Sequence, residues 1–414
     1  MYTPLFFLIL FIFTVDFLID RCVGYLNTKR WSSLLPDEVK GIYDEEKYAR
    51  QQAYQKDNYR FGLVSSGVNF GLVAIMLVFM GFAFVSNITE AVTGNAILWA
   101  LAFFGLLMVA AEIINLPFSL YGTFVIEEKY GFNKTTKTTF LTDKLKGWLL
   151  TALIGGGLLA LVMWIYQSTG RFFWIIAWAV LALFSIFMAM FYSHIIVPLF
   201  NRQTPLEEGE LRSAISSFAE KAGFKLDNIY VIDGSRRSSK ANAYFTGLGS
   251  KKRIVLYDTL IATMTTEEIV AVLAHEIGHY RHKHVLQGLM LGLLQTALLL
   301  FLFSVFVESD AVGMALGVTE PNFHIGMIAF SILYSPVSMV TGLAMNWLSR
   351  RNEYQADRYA AVNYHPAPLI SALKKLSVNN LSNLTPHPVY VFFNYSHPPL
   401  LKRIEQLHKF ESTC

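Results

Sequence analysis

The amino-acid sequence predicts an α-helical integral membrane protein, seven transmembrane helices interrupted by one soluble segment, and three observations carry that reading. Of its 414 residues, 54% are hydrophobic and only 15% are charged, too apolar for an ordinary soluble domain. Seven stretches are long enough to cross a hydrocarbon core, which takes about 20 residues. The lysines and arginines crowd into alternate loops. The lipid bilayer is therefore an expected partner. A net charge of +4 spread over this length gives no reason to expect nucleic acid. Cys22 and Cys414 stand at opposite ends and offer neither a disulfide framework nor a cysteine zinc site.

The expected spans run approximately over Thr3–Leu18, Phe61–Val85, Ala96–Leu116, Gly147–Ile165, Phe172–Val197, Val285–Val307 and Phe323–Leu348. The first lacks a basic leading region and a small-residue cleavage site, so it reads as a retained span. Positions 20–60, the loop after the third span, the segment 198–284 and the tail after Arg350 are basic, whereas 86–95, 166–171 and 308–322 hold only Arg171. By the positive-inside rule the N-terminus lies outside and the C-terminus in the cytoplasm. Four parts follow: residues 1–197 with five spans, 198–284 soluble, 285–348 with two spans, and 349–414 cytoplasmic. Asn69, Glu112, Asn115 and Asn346 interrupt the spans, either as hydrogen bonds between helices or as the lining of a wet cavity. The charged stretch Asp37–Arg60, rich in tyrosine, predicts a cytoplasmic helix lying against a surface that the sequence does not identify.

The soluble segment begins with a helix over Glu207–Ala222, whose apolar face is Leu211, Ile215 and Phe218 and whose stop is Gly223. Three short strands follow, Ile229–Ile232, Ala241–Phe245 and Arg253–Tyr257. Then comes TTEEIVAVLAHEIGHYRHKH, Thr265–His284. Thr265 with Glu268 forms a capping box ahead of an apolar run. His275 and His279 are four apart, on one face of the helix, where two imidazoles can hold one Zn²⁺. Glu276 is placed to take a proton from a water at the metal. An amphipathic helix with two unrelated histidines is the competing reading of this motif alone.

The seventh span leads straight into SRRNEYQADRYAA, Ser349–Ala361, where Glu353 and Asp357 share one helix face. A catalytic zinc needs a third protein ligand, which Glu353 can supply, while Asp357 can hydrogen-bond a ligand imidazole. A solvated face paired with Arg350, Arg351 and Arg358 is the alternative. The tail ends in a helix over Pro366–Leu381 and a last one opened by Pro398 and Pro399.

AHEIGHY, SRRNEYQADRYA, ANAYFTGLGSKKRIVLYDTL, LPFSLYGTFVIEEKYGFNK and YSHPPLLKRI together make the chain resemble the type I CaaX prenyl proteases. The resemblance covers essentially the whole length in the same order. It implies an integral-membrane zinc endopeptidase whose seven helices form a barrel around a chamber, with the metal at the cytoplasmic end. It implies one Zn²⁺ per chain on His275, His279 and Glu353, Glu276 as general base, and Asn242 and His397, with Arg403, on the substrate. Peptide substrates, prenylated or otherwise membrane-associated, and a monomer are expected. Tyr280, where eukaryotic members more often carry Trp, and the short chain point to a bacterial version in the inner membrane; the endoplasmic reticulum is the alternative. A broad-specificity quality-control protease and a seven-span receptor or transporter with a regulatory metal stay open as rivals.

Overall fold

The computed structural model describes residues 2–32, 34–223, 229–246, 253–307, 309–320 and 322–411. The chain opens with the helix Pro4–Thr28, capped by the Thr3 hydroxyl, which accepts from the Phe6 N–H. Among the described residues, five helices are long and apolar enough to cross a membrane: Glu45–Val78, Ala96–Glu127, Lys137–Thr169, Phe173–Phe200 and His284–Phe306. A bent pair, Phe323–Leu333 with Ser335–Asn363 at 53°, makes a sixth. The outcome differs from seven uniform spans for two local reasons. Any 18 consecutive residues of Pro4–Thr28 include Asp16, Asp20 and Arg21, which keeps that helix from being an apolar span by composition. The expected span Phe323–Leu348 breaks at Tyr334, because Pro336 has no N–H to donate into the preceding turn; the Ser335 hydroxyl donates to the Ile332 carbonyl instead, at 2.8 Å.

Helices also run further than hydropathy alone predicts. The charged stretch after Asp37 is helical from Glu45, where it is continuous with the apolar run, and the whole helix is capped by Asp44, which accepts from the Lys47 N–H at 2.7 Å. It stops at Phe79, where Met80 takes a left-handed backbone (φ 53°) before the short helix Gly81–Glu90, so the expected span Phe61–Val85 is divided. The surface that this segment lies against is the expected protease half, residues 198–284 with 349–414. The Tyr43 hydroxyl donates to the Ser377 carbonyl at 2.8 Å, and Tyr43 and Tyr48 are buried. The polar residues inside the spans bind other elements. Lys144 Nζ donates to Glu112 at 2.8 Å, Asn69 and Asn115 exchange side-chain bonds at 3.0 and 3.3 Å, and Asn346 donates to the Phe393 carbonyl at 2.8 Å.

The expected protease half holds a four-stranded mixed sheet, not the three strands expected. Its strands are β1 (Gln203–Pro205), β2 (Ile229–Ile232), β3 (Ala243–Thr246) and β4 (Arg253–Tyr257), in the order β1-β2-β4-β3. β2 and β4 are parallel and both outer pairs antiparallel. β1 escapes sequence reasoning because three residues ending in proline show no alternation. β3 starts two residues later than expected and forms one edge of the sheet. The helix Glu210–Lys221 packs Ile215 and Phe218 into the core and stops at Gly223, whose φ of 60° favours glycine. Ile254 and Leu256 of β4 join the same core as Ile269, Leu273 and Ile277 of the helix Thr266–Arg281 and Leu407 of the last helix.

The helix Thr266–Arg281 is the centre of this half. Its capping box is formed, and Glu268 also accepts from Ser371 at 2.6 Å and Lys375 at 2.8 Å, tying the helix to its neighbour Pro366–Asn379. Against Ser335–Asn363 it packs backbone to backbone. A Cβ on Gly278 would lie 3.0 Å from the Ala356 Cα and 3.1 Å from its carbonyl oxygen, so only glycine leaves that approach undisturbed. Gly278→Ala gains about 1 kcal/mol of helix propensity but meets rigid backbone, where overpacking costs typically 1–3 kcal/mol. We expect a lower melting temperature and substoichiometric zinc by elemental analysis. A variant that melts higher and keeps full zinc would show that the approach has slack.

Candidate metal centre

The 3.6-residue period puts His275 and His279 on one face of their helix, and the helix Ser335–Asn363 brings Glu353 opposite them. The two Nε2 atoms lie 3.1 Å apart. The Glu353 oxygens lie 3.2 Å from His279 Nε2 and 3.5 Å from His275 Nε2. Ligand atoms about 2.0–2.1 Å from a tetrahedral zinc are about 3.3 Å from one another, so the three groups are spaced to share one ion. One Glu353 oxygen, Oε2, is buried without a hydrogen bond. Two imidazoles and a carboxylate suit zinc, and these are the only three described residues that converge as a metal-binding group. His275, His279 and Glu353 are the zinc ligands.

The residues behind the ligands settle which imidazole nitrogen faces the metal. His275 Nδ1 is 2.9 Å from Asp357 Oδ1, so that nitrogen donates and Nε2 presents its lone pair. Asp357 is gripped by Arg403, with Nε at 2.8 Å and Nη2 at 2.6 Å from its two oxygens. A third guanidinium nitrogen, Nη1, is 3.4 Å from Glu353 Oε2. Burial alone would lower the His275 pKa, but hydrogen bonds to Asp357 and Glu353 outweigh it and lift the value to about 9. Burial likewise disfavours the charged form of Arg403, and the Asp357 carboxylate reverses this and raises its pKa.

His279 has a corresponding partner that sequence reasoning missed. Lys283 adopts a left-handed backbone (φ 57°) between this helix and the next, and the turn folds His284 back. His279 Nδ1 and His284 Nδ1 lie 3.0 Å apart, and His284 Nε2 is 2.9 Å from Gln355 Oε1. Gln355 Oε1 can only accept, so His284 donates from Nε2 and accepts at Nδ1. His279 then donates from Nδ1 and turns its Nε2 lone pair to the metal. The only signal in the sequence was the histidine ending HYRHKH and the glutamine two residues after Glu353.

The remaining expected site residues are placed as follows. Glu276 is half-buried and lines a cavity of about 280 Å³ with His279, His284, Val285 and Leu348. His397 lies beside the triad, its Nε2 3.2 Å from Glu353 Oε1, and lines a second cavity of about 490 Å³ with Arg403 and Tyr395. Asn242 is exposed immediately before β3; its carbonyl accepts from the Tyr257 N–H at 3.1 Å and its side chain from the Ala243 N–H at 2.9 Å. Among the described residues it makes no hydrogen bond to the three ligands.

The orientation of His279 gives a test. His284→Ala removes the acceptor, and loss of such a partner typically weakens metal affinity about 10–100-fold. Competition with a fluorescent zinc chelator should show this for the intact protein. An unchanged zinc affinity would remove His284 from the site.

Two family models match consecutive parts of the chain: "CAAX prenyl protease N-terminal, five membrane helices" over residues 24–202, and "Peptidase family M48" over 205–411. Among similar proteins, the CAAX prenyl protease 1 homolog of Oryza sativa is 36% identical over 404 residues, covering 94% of both chains. CAAX prenyl protease 1 of Saccharomyces cerevisiae is 35% identical, covering 93% of this chain and 91% of its own. The Homo sapiens homolog is 32% identical, with coverage of 90% and 88%. The crystal structure of S. mikatae Ste24p superposes with a TM-score of 0.93 at 32% identity, over 98% of this chain and 100% of the other. These relatives are eukaryotic, which leaves the expectation of a bacterial version unsupported: a single aromatic substitution and a short chain do not report lineage. A multi-pass membrane chain with this zinc triad, matched along its length by these proteins, belongs to the CAAX prenyl protease 1 family of M48 zinc metallopeptidases.

Proposed function

We propose that the protein cleaves CaaX-type prenylated peptides near their C-terminus, on the cytoplasmic face of a membrane. The observation that carries this reading is the position of the triad: the helix bearing His275 and His279 is followed within three residues by the span His284–Phe306. A substrate anchored by a lipid reaches such a site without leaving the bilayer. The reading includes the seven-helix barrel, with Pro4–Thr28 and the bent pair completing the five apolar spans. Only 6–17% of the residues in the most apolar stretch of each of those spans are buried in protein, which supports a hollow arrangement. The N-terminus then lies outside and the protease half in the cytoplasm, as the alternation of basic loops requires. The eukaryotic relatives favour the endoplasmic reticulum over a bacterial membrane. The site is complete within one chain, in keeping with a monomer.

Each residue of the site then has a task. Zinc, when bound, supplies Lewis acidity to the scissile carbonyl and lowers the pKa of water. Glu276 takes the proton of the attacking water and passes it to the leaving amine. His397 donates to the oxyanion, its ring fixed by the following prolines and by Ser396 Oγ, 2.9 Å from Nδ1. The edge at β3, entered at Asn242, pairs with the extended peptide. Asp357 and Arg403 hold His275 in its ligating tautomer.

Two variants test the scheme in protein reconstituted in nanodiscs, with products of farnesylated and unmodified peptides mapped by mass spectrometry. Glu276→Gln should keep its zinc and lose about 10²–10⁴ in turnover, since a base is removed and not a ligand. His397→Ala should keep its zinc and lose about 10²–10³ in kcat. Near-normal turnover of zinc-loaded Glu276→Gln would overturn the mechanism. Equal kcat/KM for the farnesylated and unmodified peptides would point to a broad-specificity protease instead.

A further inference from the structure

A second feature of the protease half lies away from the zinc. Lys146, Arg202, Arg236 and Arg253 line one cavity of about 560 Å³, together with Pro198, Leu199 and Phe200, and no carboxylate lines it. Among the described residues, Arg202, Arg236 and Arg253 form no ion pair. The adjacent Arg237 shows what a structural arginine does here: it is bound at 2.7 and 2.9 Å to Asp143 and at 2.7 Å to the Phe200 carbonyl. The nearby Asp233 is already engaged, accepting from the Arg202 backbone N–H at 2.8 Å and from Asn201 at 3.0 Å. Arg253 is laid 4.5 Å over the Tyr230 ring, and Lys146 Nζ donates to the Leu199 carbonyl at 2.7 Å. The cations are thus held together with their charge unanswered.

The cavity also has a particular place. Phe200 ends the membrane helix Phe173–Phe200, and Lys146 immediately precedes the apolar run of Lys137–Thr169. Two spans therefore leave the membrane at its rim, on the protease side, which the orientation proposed above makes the cytoplasmic leaflet, the one that carries anionic lipid. Leu199, 44% exposed, gives the rim an apolar surface. A single phosphodiester would answer one of the four cations. A phosphomonoester adds about 1.5–2 further negative charges and three acceptor oxygens, matching planar guanidinium groups.

We infer that this cavity is a binding site for the headgroup of an anionic phospholipid carrying a phosphomonoester besides its phosphodiester. The cations take the two phosphates, and the acyl chains lie along Leu199 and Phe200 in the bilayer. The site is separate from the zinc centre and binds lipid whichever peptide the protease cleaves.

The test uses the full chain in detergent, with phosphatidylinositol 4-phosphate as the probe and bound lipid counted by native mass spectrometry. The wild type should retain this lipid in preference to phosphatidylinositol and phosphatidylcholine. Arg202→Gln with Arg236→Gln should weaken retention by roughly five-fold per arginine, about 25-fold together. Zinc content and peptidase activity in phosphatidylcholine should be unchanged. Should the double variant lose zinc or fail to fold, Arg236→Gln alone, on an exposed turn, reads the same five-fold loss. Equal retention by wild type and variant would overturn the proposal. So would indifference between phosphatidylinositol and its 4-phosphate, or displacement of the lipid by millimolar inorganic phosphate, which would mark a free-anion site.

Discussion

The close approach of two helix backbones at Gly278 and Ala356 is the constraint on which the zinc centre depends. Helices normally pack 8–10 Å apart, the distance being set by the side chains at the contact. Here one helix presents a glycine and the other an alanine at the point of contact, leaving 3.0–3.1 Å for even a single Cβ. Glu353 sits one turn before Ala356, and His275 and His279 flank Gly278. The carboxylate reaches the imidazoles because nothing larger separates the helices. The small residues therefore do metal chemistry indirectly, by setting distance.

Around that contact the second problem is orientation, which two hydrogen-bonded chains solve from opposite sides. Arg403, Asp357 and His275 form one chain, and Gln355, His284 and His279 form the other. Each ends on a ligating nitrogen, and each leaves the same kind of atom, Nε2, free for the metal. Asp357 and Gln355 both belong to the helix that carries Glu353, so one element positions all three ligands. A buried Arg–Asp pair is costly to desolvate and gives stability weakly. Its place directly behind His275 gives it a reason in geometry instead.

The membrane half and the protease half are joined through continuous helices and not through a linker. Glu45–Val78 begins in a charged layer packed on the protease half and ends among the apolar spans, and Ser335–Asn363 starts at the bend and carries Glu353 to the zinc site. Tyr54 and Lys240 both bind Glu127, at 2.5 and 2.8 Å, so the soluble segment is also stitched to the end of the helix Ala96–Glu127. Strain is placed at the joints: Met80 and Lys283 both carry left-handed backbones, each where a long helix must turn. At Lys283 that turn delivers His284 to the ligand, which connects a feature of the backbone to the metal directly.

How much of this was legible in the sequence follows from the range of each interaction. The capping box at Thr265 and Glu268, the i, i+4 pairs His275–His279 and Glu353–Asp357, and the apolar runs are local patterns, and a helix of known period converts them directly into faces. The ligand set was therefore available before any fold. What local pattern does not encode is the meeting of distant segments. That Arg403 grips Asp357, that His284 and Gln355 complete the second chain, and that Asp37–Arg60 packs on the protease half required the tertiary structure, because each joins residues with no spacing rule between them. β1 lay below the length at which alternation is visible, and the bend at Tyr334 depended on whether Ser335 would replace the hydrogen bond that Pro336 cannot make. The sequence by itself determined which residues hold the zinc; the packing of Gly278 on Ala356 decided that they meet, because distance between helices is set by both partners at once.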